Sequence, residues 1–252
     1  LGPGDHNITL RAPGRAEVRY PVYIGREEHW DGIPPGGTEA HAIYLPTPKE
    51  VGSNGLYVPA GFPKPNEAGH PAAVATLAAR LARTLGGRTF VLTTTLRALQ
   101  AIGEALRAQF EEHGDALRVL RQGEAPKRQL MQQFLAEPRS VLVGSQSFWE
   151  GIDVPGDALQ CVIIDKLPFP PPNDPLVEAR VKRLEAQGRN AFADYFVAEA
   201  AVSLKQGAGR LIRSETDRGL LVVCDPRMAG MNYGRRLREA LPPMTRVANE
   251  AE

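Results

Sequence analysis

Apolar positions along the chain fall into two textures. From about residue 71 onward, stretches with hydrophobic residues three and four apart alternate with short continuous apolar runs. Pro71 opens the first helical stretch, where Val74, Leu77, Leu81 and Leu85 recur at helical spacing until Gly86-Gly87 stops it. Thr89 to Thr93 then reads as a buried strand. Leu99, Ile102, Leu106 and Phe110 line one face of a second helix ending near Gly114, and the strand Leu117 to Leu120 follows. Pro126 sits where a helix's first turn tolerates proline, ahead of Leu130, Phe134 and Leu135. Val141 to Val143, Leu159 to Ile164 and Gly219 to Cys224 complete the strands. Strands apolar on both faces with helices between them predict an α/β fold, a parallel sheet covered by helices on both sides.

The first 55 residues differ. Half of the 22 prolines fall within the first 71 positions, together with Gly36-Gly37 and Pro34-Pro35, so helix is nearly excluded there. Asn7 to Leu10 and Glu17 to Ile24, separated by Pro13-Gly14, predict a hairpin. Ala42 to Leu45 and Leu56 to Val58 are further short strand candidates. The division expected is a proline- and glycine-rich leader over 1–55, packed on a main domain over 56–252.

Composition narrows the class without choosing a function. Hydrophobic and charged fractions of 42% and 23% over 252 residues are those of a globular domain. No apolar run reaches membrane-spanning length and no signal-peptide pattern opens the chain, so an intracellular, cytoplasmic protein is expected, with no membrane partner. Cys161 and Cys224 lie inside apolar runs, with neither a CxxC spacing nor neighbouring histidines, so no metal or iron–sulfur site is expected here. The net charge of +1 excludes a strongly basic nucleic-acid wrapper but leaves two local basic tracks, Arg180-Lys182-Arg183 and Arg235-Arg236-Arg238.

Parallel sheets bind ligands at the carboxyl ends of their strands. Those ends are Thr93-Thr94-Thr95, Gln122-Gly123, Gly144-Ser145, Asp165-Lys166 and Asp225. After the third, Ser145 and Ser147 can offer hydroxyls and backbone amides to a phosphate. Trp149 reads either as a core plug or as a platform for a base. Asp153 reads either as an acceptor for a ribose hydroxyl or as the fixing residue of the turn before Pro155-Gly156. In QGAGRLIR (206–213), Arg210 and Arg213 stand beside a glycine turn at a helix end. Their guanidinium forks match phosphoryl oxygens, and arginines so placed can stabilise charge during phosphoryl transfer.

SFWEGIDVPG, Lys166-Leu167-Pro168-Phe169 with Asp174-Pro175, QGAGRLIR, Asp225-Pro226-Arg227 and Tyr233-Gly234 occur in order. Together they resemble the second motor domain of DinG/XPD-like superfamily 2 DNA helicases, over roughly Leu56 to Pro242, and the resemblance implies a RecA-like form of the parallel sheet. By that resemblance 144–153 corresponds to motif V, 206–213 to motif VI and Val91 to Thr95 to motif IV, while Gln122-Gly123-Glu124 with Lys127 resembles the short block between IV and V. The resemblance implies that Arg210, Arg213 and Gln206 serve ATP hydrolysis and that Glu150, Gly151, Asp153 and Gly209 face the nucleotide, Glu150 holding a motif arginine in place. It also implies that Thr94, Thr95, Gln122, Gly123, Ser145, Ser147 and Trp149 contact single-stranded DNA. Neither GxxxxGK[ST] nor a DEAH-type motif occurs. ATP with Mg2+ is therefore expected to be held largely by a missing N-terminal motor domain, which is also where the family carries its cluster cysteines. Two alternatives remain open from the residues: an autonomous nucleotide-binding or transferase domain, and a non-enzymatic interaction module using the leader or Pro170 to Pro172.

Overall fold

A computed structural model of the chain describes residues 4–10, 18–24, 54–145, 148, 154, 158–211 and 219–247, with backbone alone for 4–10, 18–24 and Arg210. The chain separates into two compact units, Leu1–Gly52 and Ser53–Glu252. In the first, β1 (Gly4–Leu10) and β2 (Val18–Ile24) pair antiparallel from Gly4 opposite Ile24 to Leu10 opposite Val18, the hairpin predicted from alternation. The candidate strand Ala42 to Leu45 lies outside the described residues.

The second unit is built on a seven-stranded parallel sheet. Its strands are β3 (Asn54–Tyr57), β4 (Thr89–Thr93), β5 (Arg118–Arg121), β6 (Ser140–Ser145), β7 (Cys161–Ile164), β8 (Gly219–Val223) and β9 (Thr245–Val247), in the spatial order β5-β6-β4-β7-β8-β3-β9. Every neighbouring pair runs parallel. The helices are α1 (His70–Leu85), α2 (Leu96–Glu112), α3 (Lys127–Ala136), α4 (Pro175–Ala186), α5 (Val197–Leu211), α6 (Arg227–Gly230) and α7 (Asn232–Glu239), and one π-helical turn, Phe192–Phe196, leads into α5. This is the RecA-like α/β architecture expected.

Strand residues alternate between faces. Val91, Val141, Val143, Ile163 and Val222 pack with the apolar stripes of α1 and α2. Phe90, Leu92, Leu142, Ile164 and Val223 pack on the opposite side with Leu130 and Phe134 of α3, Leu204 of α5 and Leu237 of α7. Burial on both faces explains the uninterrupted apolar runs. Gly86 caps α1 in the left-handed region at φ 67°, and Gly87 at φ 103° brings the chain against the α3–β6 corner, where an added Cβ would lie 2.3 Å from the Pro138 carbonyl oxygen. Leu135 is a correction: it was expected on the apolar face of α3 but is 41% exposed, because Phe134 takes the core position and Leu135, about 100° further round the helix, turns away from it.

Candidate nucleic-acid interface and nucleotide-facing helix

A parallel sheet brings all its strand carboxyl ends to one edge, and β5, β6 and β4 are neighbours, so Gln122, Ser145 and Thr93 to Thr95 stand side by side. Long-range hydrogen bonds fix them there. Ser145 donates from both its backbone nitrogen (2.7 Å) and its hydroxyl (2.9 Å) to Oε1 of Gln122. A backbone N–H can only donate, so the atom it meets must be the amide oxygen, and the NH2 of Gln122 points away from Ser145. That NH2 has no partner among the described residues. Ser145 is buried and acts as a brace; Gln122, half-buried, presents the donors.

The loop carrying Gln122 is held from several sides. The Gln122 N–H donates to the Val143 carbonyl at 2.9 Å, and Gly123 takes φ 99° while remaining exposed. Glu124 meets Arg107 at 2.5 Å and Arg121 at 3.2 Å. The hydrogen bond from the Arg107 guanidinium draws the Glu124 carboxyl below its ordinary range. Beyond β4, Thr95 is exposed and caps α2 by accepting from the Ala98 N–H at 3.2 Å. Thr94 is half-buried; its N–H donates to Asp165 at 3.1 Å, while its hydroxyl is buried with no hydrogen-bond partner among the described residues. A buried hydroxyl left so is uncommon.

Two buried carboxylates, noted in the sequence as strand ends and, for Asp225, as part of the Asp225-Pro226-Arg227 block, organise the rest of the edge. Asp165 Oδ1 accepts from Thr94 N–H and from Lys166 N–H at 2.8 Å. Asp225 accepts from Leu167 N–H at 3.0 Å and from the Arg227 guanidinium at 2.7 Å, and Arg227 lies 5.6 Å from the Phe169 ring centre. Burial pushes the Asp165 carboxyl up to about 7, against the opposing pull of the Lys166 charge and the two backbone donors. The unfolded carboxyl titrates near 4, at about its ordinary value. Between about pH 4 and about pH 7 the native chain therefore holds a proton that the unfolded chain has released, so stability falls as pH rises across that window and levels off above it. Asp165→Asn keeps an oxygen for both donors without the buried charge. It should flatten this slope and raise Tm at about pH 8 by a few degrees; melts at both ends of the window check this, and a lowered Tm with the slope retained would contradict it. Burial likewise pushes the Cys161 and Cys224 thiols up, and both are free.

The QGAGRLIR segment lies elsewhere. α5 begins beside Phe192, whose ring contacts Phe169, in the loop beyond β7, and Tyr233, in the first turn of α7 beyond β8. At its other end Leu211 packs over Gly219, the first residue of β8; a Cβ on that glycine would lie 2.4 Å from Leu211. α5 thus runs from the carboxyl edge of the sheet to its amino edge, about 20 Å at 1.5 Å per residue. The glycine turn expected at Gly207 and Gly209 is helix instead, because Val197, Ala200, Leu204, Ala208 and Leu211 carry one buried stripe straight through. Gln206 is exposed on this helix, and a Cβ on Gly209 would meet nothing within 4 Å among the described residues. Arg210 belongs to α5. The Arg210 side chain, Arg213, Ser147, Trp149, Glu150, Gly151 and Asp153 lie outside the described residues.

The fold and the paired edges define a RecA-like α/β domain, and residues 78–244 match the family described as helicase C-terminal domain. The chain belongs to that family, in its DinG-like branch. It is 46% identical over 161 residues to the ATP-dependent DNA helicase YoaA of Haemophilus influenzae, covering 64% of this chain and 24% of that protein. It is 39% identical over 224 residues to the ATP-dependent helicase DinG of Mycobacterium tuberculosis, covering 88% and 32%. The chain thus spans about a quarter to a third of the length of these relatives. A solved XPD helicase shares the fold, with a TM-score of 0.58 at 16% identity over 78% of this chain and 36% of that one. Among the described residues no helix is long and apolar enough to cross a membrane.

Proposed function

We propose that this domain is the second motor domain of an ATP-dependent DNA helicase of the cytoplasm. Its carboxyl strand edge holds single-stranded DNA, and the far end of α5 supplies Arg210 and Arg213, with Gln206 nearby, to ATP and Mg2+ seated on a first motor domain. The observation that carries the reading is the Gln122 amide, held by Ser145 of β6 with its NH2 turned away from that serine, on a sheet edge where the Thr94 hydroxyl, on the far side of β6, has no partner among the described residues. Backbone phosphates accept from such donors without regard to base sequence.

The opposite end of α5 suits a surface that closes on another lobe. Gln206 is exposed, and a Cβ on Gly209 would meet no described residue within 4 Å. Glu150, Gly151 and Asp153, on the segment between β6 and β7, are assigned to the same nucleotide face, and Ser147 and Trp149 to the DNA face. One helix spanning from one edge to the other lets closure around ATP reposition the DNA-holding edge, a two-state change biased by contacts made in the closed form.

The test is hydrolysis. The chain alone should turn over no ATP, whereas a protein joining it to a first motor domain should hydrolyse ATP with stimulation by single-stranded DNA. Steady hydrolysis by the chain alone, abolished by Arg210→Ala, would instead establish an autonomous nucleotide site.

A further inference from the structure

The two basic tracks seen in the sequence have different fates. Arg235, Arg236 and Arg238 are all engaged within the chain: Arg235 with Glu239 at 2.7 Å, Arg236 with the Ala193 carbonyl at 2.8 Å, and Arg238 with the Met228 carbonyl. The α4 track is not. Of the twelve residues of α4, Val177 is the buried one, so this helix contributes little to the core. Arg180, Arg183, Leu184 and Gln187 fall at positions i, i+3, i+4 and i+7, one helical face. With Arg189, Asp194 and Tyr195 they line an open cleft of about 320 Å³ between α4 and the π-helical turn.

The charges in that cleft do not cancel. Asp194 accepts from Arg189 at 2.9 Å, and Glu199 approaches Arg180 at 3.8 Å while that guanidinium lies 5.4 Å from the Tyr195 ring centre. Arg183 has no hydrogen bond or ion pair among the described residues. Glu178, Lys182 and Glu185 project from the other side of α4. Three guanidinium forks converging on one opening, one of them free, match the oxygens of a phosphate better than they match one another.

A second feature says what carries the phosphate. Phe192, on the same π turn three residues before Tyr195, is 46% exposed. Its ring packs with Phe169 at 5.7 Å, Tyr233 at 5.3 Å and, nearly parallel, Phe196 at 6.2 Å, and its exposed part can extend that aromatic stack to an unpaired base. π-helical turns are rare and often mark functional positions. Phe169 and Tyr233 follow β7 and β8, on the same sheet edge as Gln122 and Thr94. One strand can therefore run along that edge and continue into the cleft.

We propose that the cleft between α4 and the π turn is a second single-stranded DNA site, with Arg183 and Arg180 gripping a phosphate and Phe192 stacking on the adjoining base. It rests on DNA being a ligand of this domain but not on the Gln122 wall. The test is fluorescence anisotropy of the full 252-residue chain with a labelled oligothymidylate of about 20 nucleotides, between about 50 and about 200 mM salt. R180A/R183A should bind roughly 10-fold more weakly at low salt, with the slope of log K against log salt shallower by about 1.4, two contacts at about 0.7 each. Phe192→Ala should weaken binding with the slope unchanged, and Lys182→Ala, on the opposite side of the helix, should bind as the parent does.

Unchanged binding by R180A/R183A overturns the proposal, as does an equal loss in Lys182→Ala, which would mean diffuse attraction. Equal binding of a duplex of the same length with the same losses overturns the single-strand assignment. A glutamate-rich peptide that binds through the two arginines while oligothymidylate does not would assign the cleft to a protein partner instead. Gln122→Glu separates the two readings: normal binding there with loss in R180A/R183A leaves the cleft standing and removes the wall, and the reverse removes the cleft.

Discussion

Arg213→Lys, in a protein carrying both motor domains, is expected to lower DNA-stimulated ATP turnover by roughly 10³-fold while affinity for single-stranded DNA stays within about twofold of the parent. Lysine keeps the positive charge but loses the planar fork that can meet two phosphoryl oxygens together. If charge alone mattered, turnover would survive; if bidentate grip on the developing transition state matters, it collapses. DNA affinity is spared because this arginine follows α5, whose end packs through Leu211 against the amino end of β8, about 20 Å from the strand edge that holds Gln122 and Thr94. Steady-state ATPase assays and anisotropy on the same preparation give both quantities. Normal turnover would take Arg213 out of the nucleotide pocket, and a parallel loss of DNA affinity would move the end of α5 into the DNA site.

The fold was most legible where burial is two-sided. Thr89–Thr93 matches its predicted strand residue for residue, because a strand covered on both faces shows an unbroken apolar run between a glycine stop and a row of hydroxyls. Leu99, Ile102, Leu106 and Phe110 are all buried along α2, since a stripe at helical spacing leaves little ambiguity. The three-residue edge strand β9 was missed, being too short and too exposed to show a period. The glycines of QGAGRLIR suggested a turn, and the buried stripe of α5 overrode them.

The candidate site was legible as a set of strand ends but not in the hydrogen bonds that join them. Sequence marked Ser145, Gln122 and Thr94 as polar residues at strand ends, yet which of them presents a group and which supports it depends on hydrogen bonds spanning 23 and 71 positions. Asp165 belongs to the same class: its value lies in pinning the Thr94 backbone, a contact with no local signature. The opposite placement of α5's end is equally a product of topology, since a helix returning between parallel strands must finish at the amino edge wherever its arginines fall in the sequence.

Gln122→Glu should weaken binding of single-stranded DNA by about 10- to 100-fold, the loss of one or two donors to a charged acceptor at roughly 1.5–3 kcal/mol. The substitution is nearly isosteric and keeps an oxygen where Ser145 donates from its nitrogen and hydroxyl at 2.7 and 2.9 Å, so the brace between β5 and β6 survives and the thermal midpoint should barely move. What changes is the outward atom: a paired donor becomes an anionic acceptor facing phosphate oxygens. Gln122→Ala separates the two components, because it removes the donors without adding charge and should lose less, by a margin that shrinks as salt rises. Anisotropy titrations of the three proteins at two salt concentrations resolve this order. If all three bind alike, the carboxyl edge of β5 is not where DNA lies, and the outward NH2 of Gln122 has no part in holding it. If the order holds, the wall grips its strand through a group that Ser145 orients, which makes the brace a positioning residue and accounts for a serine buried at the end of β6.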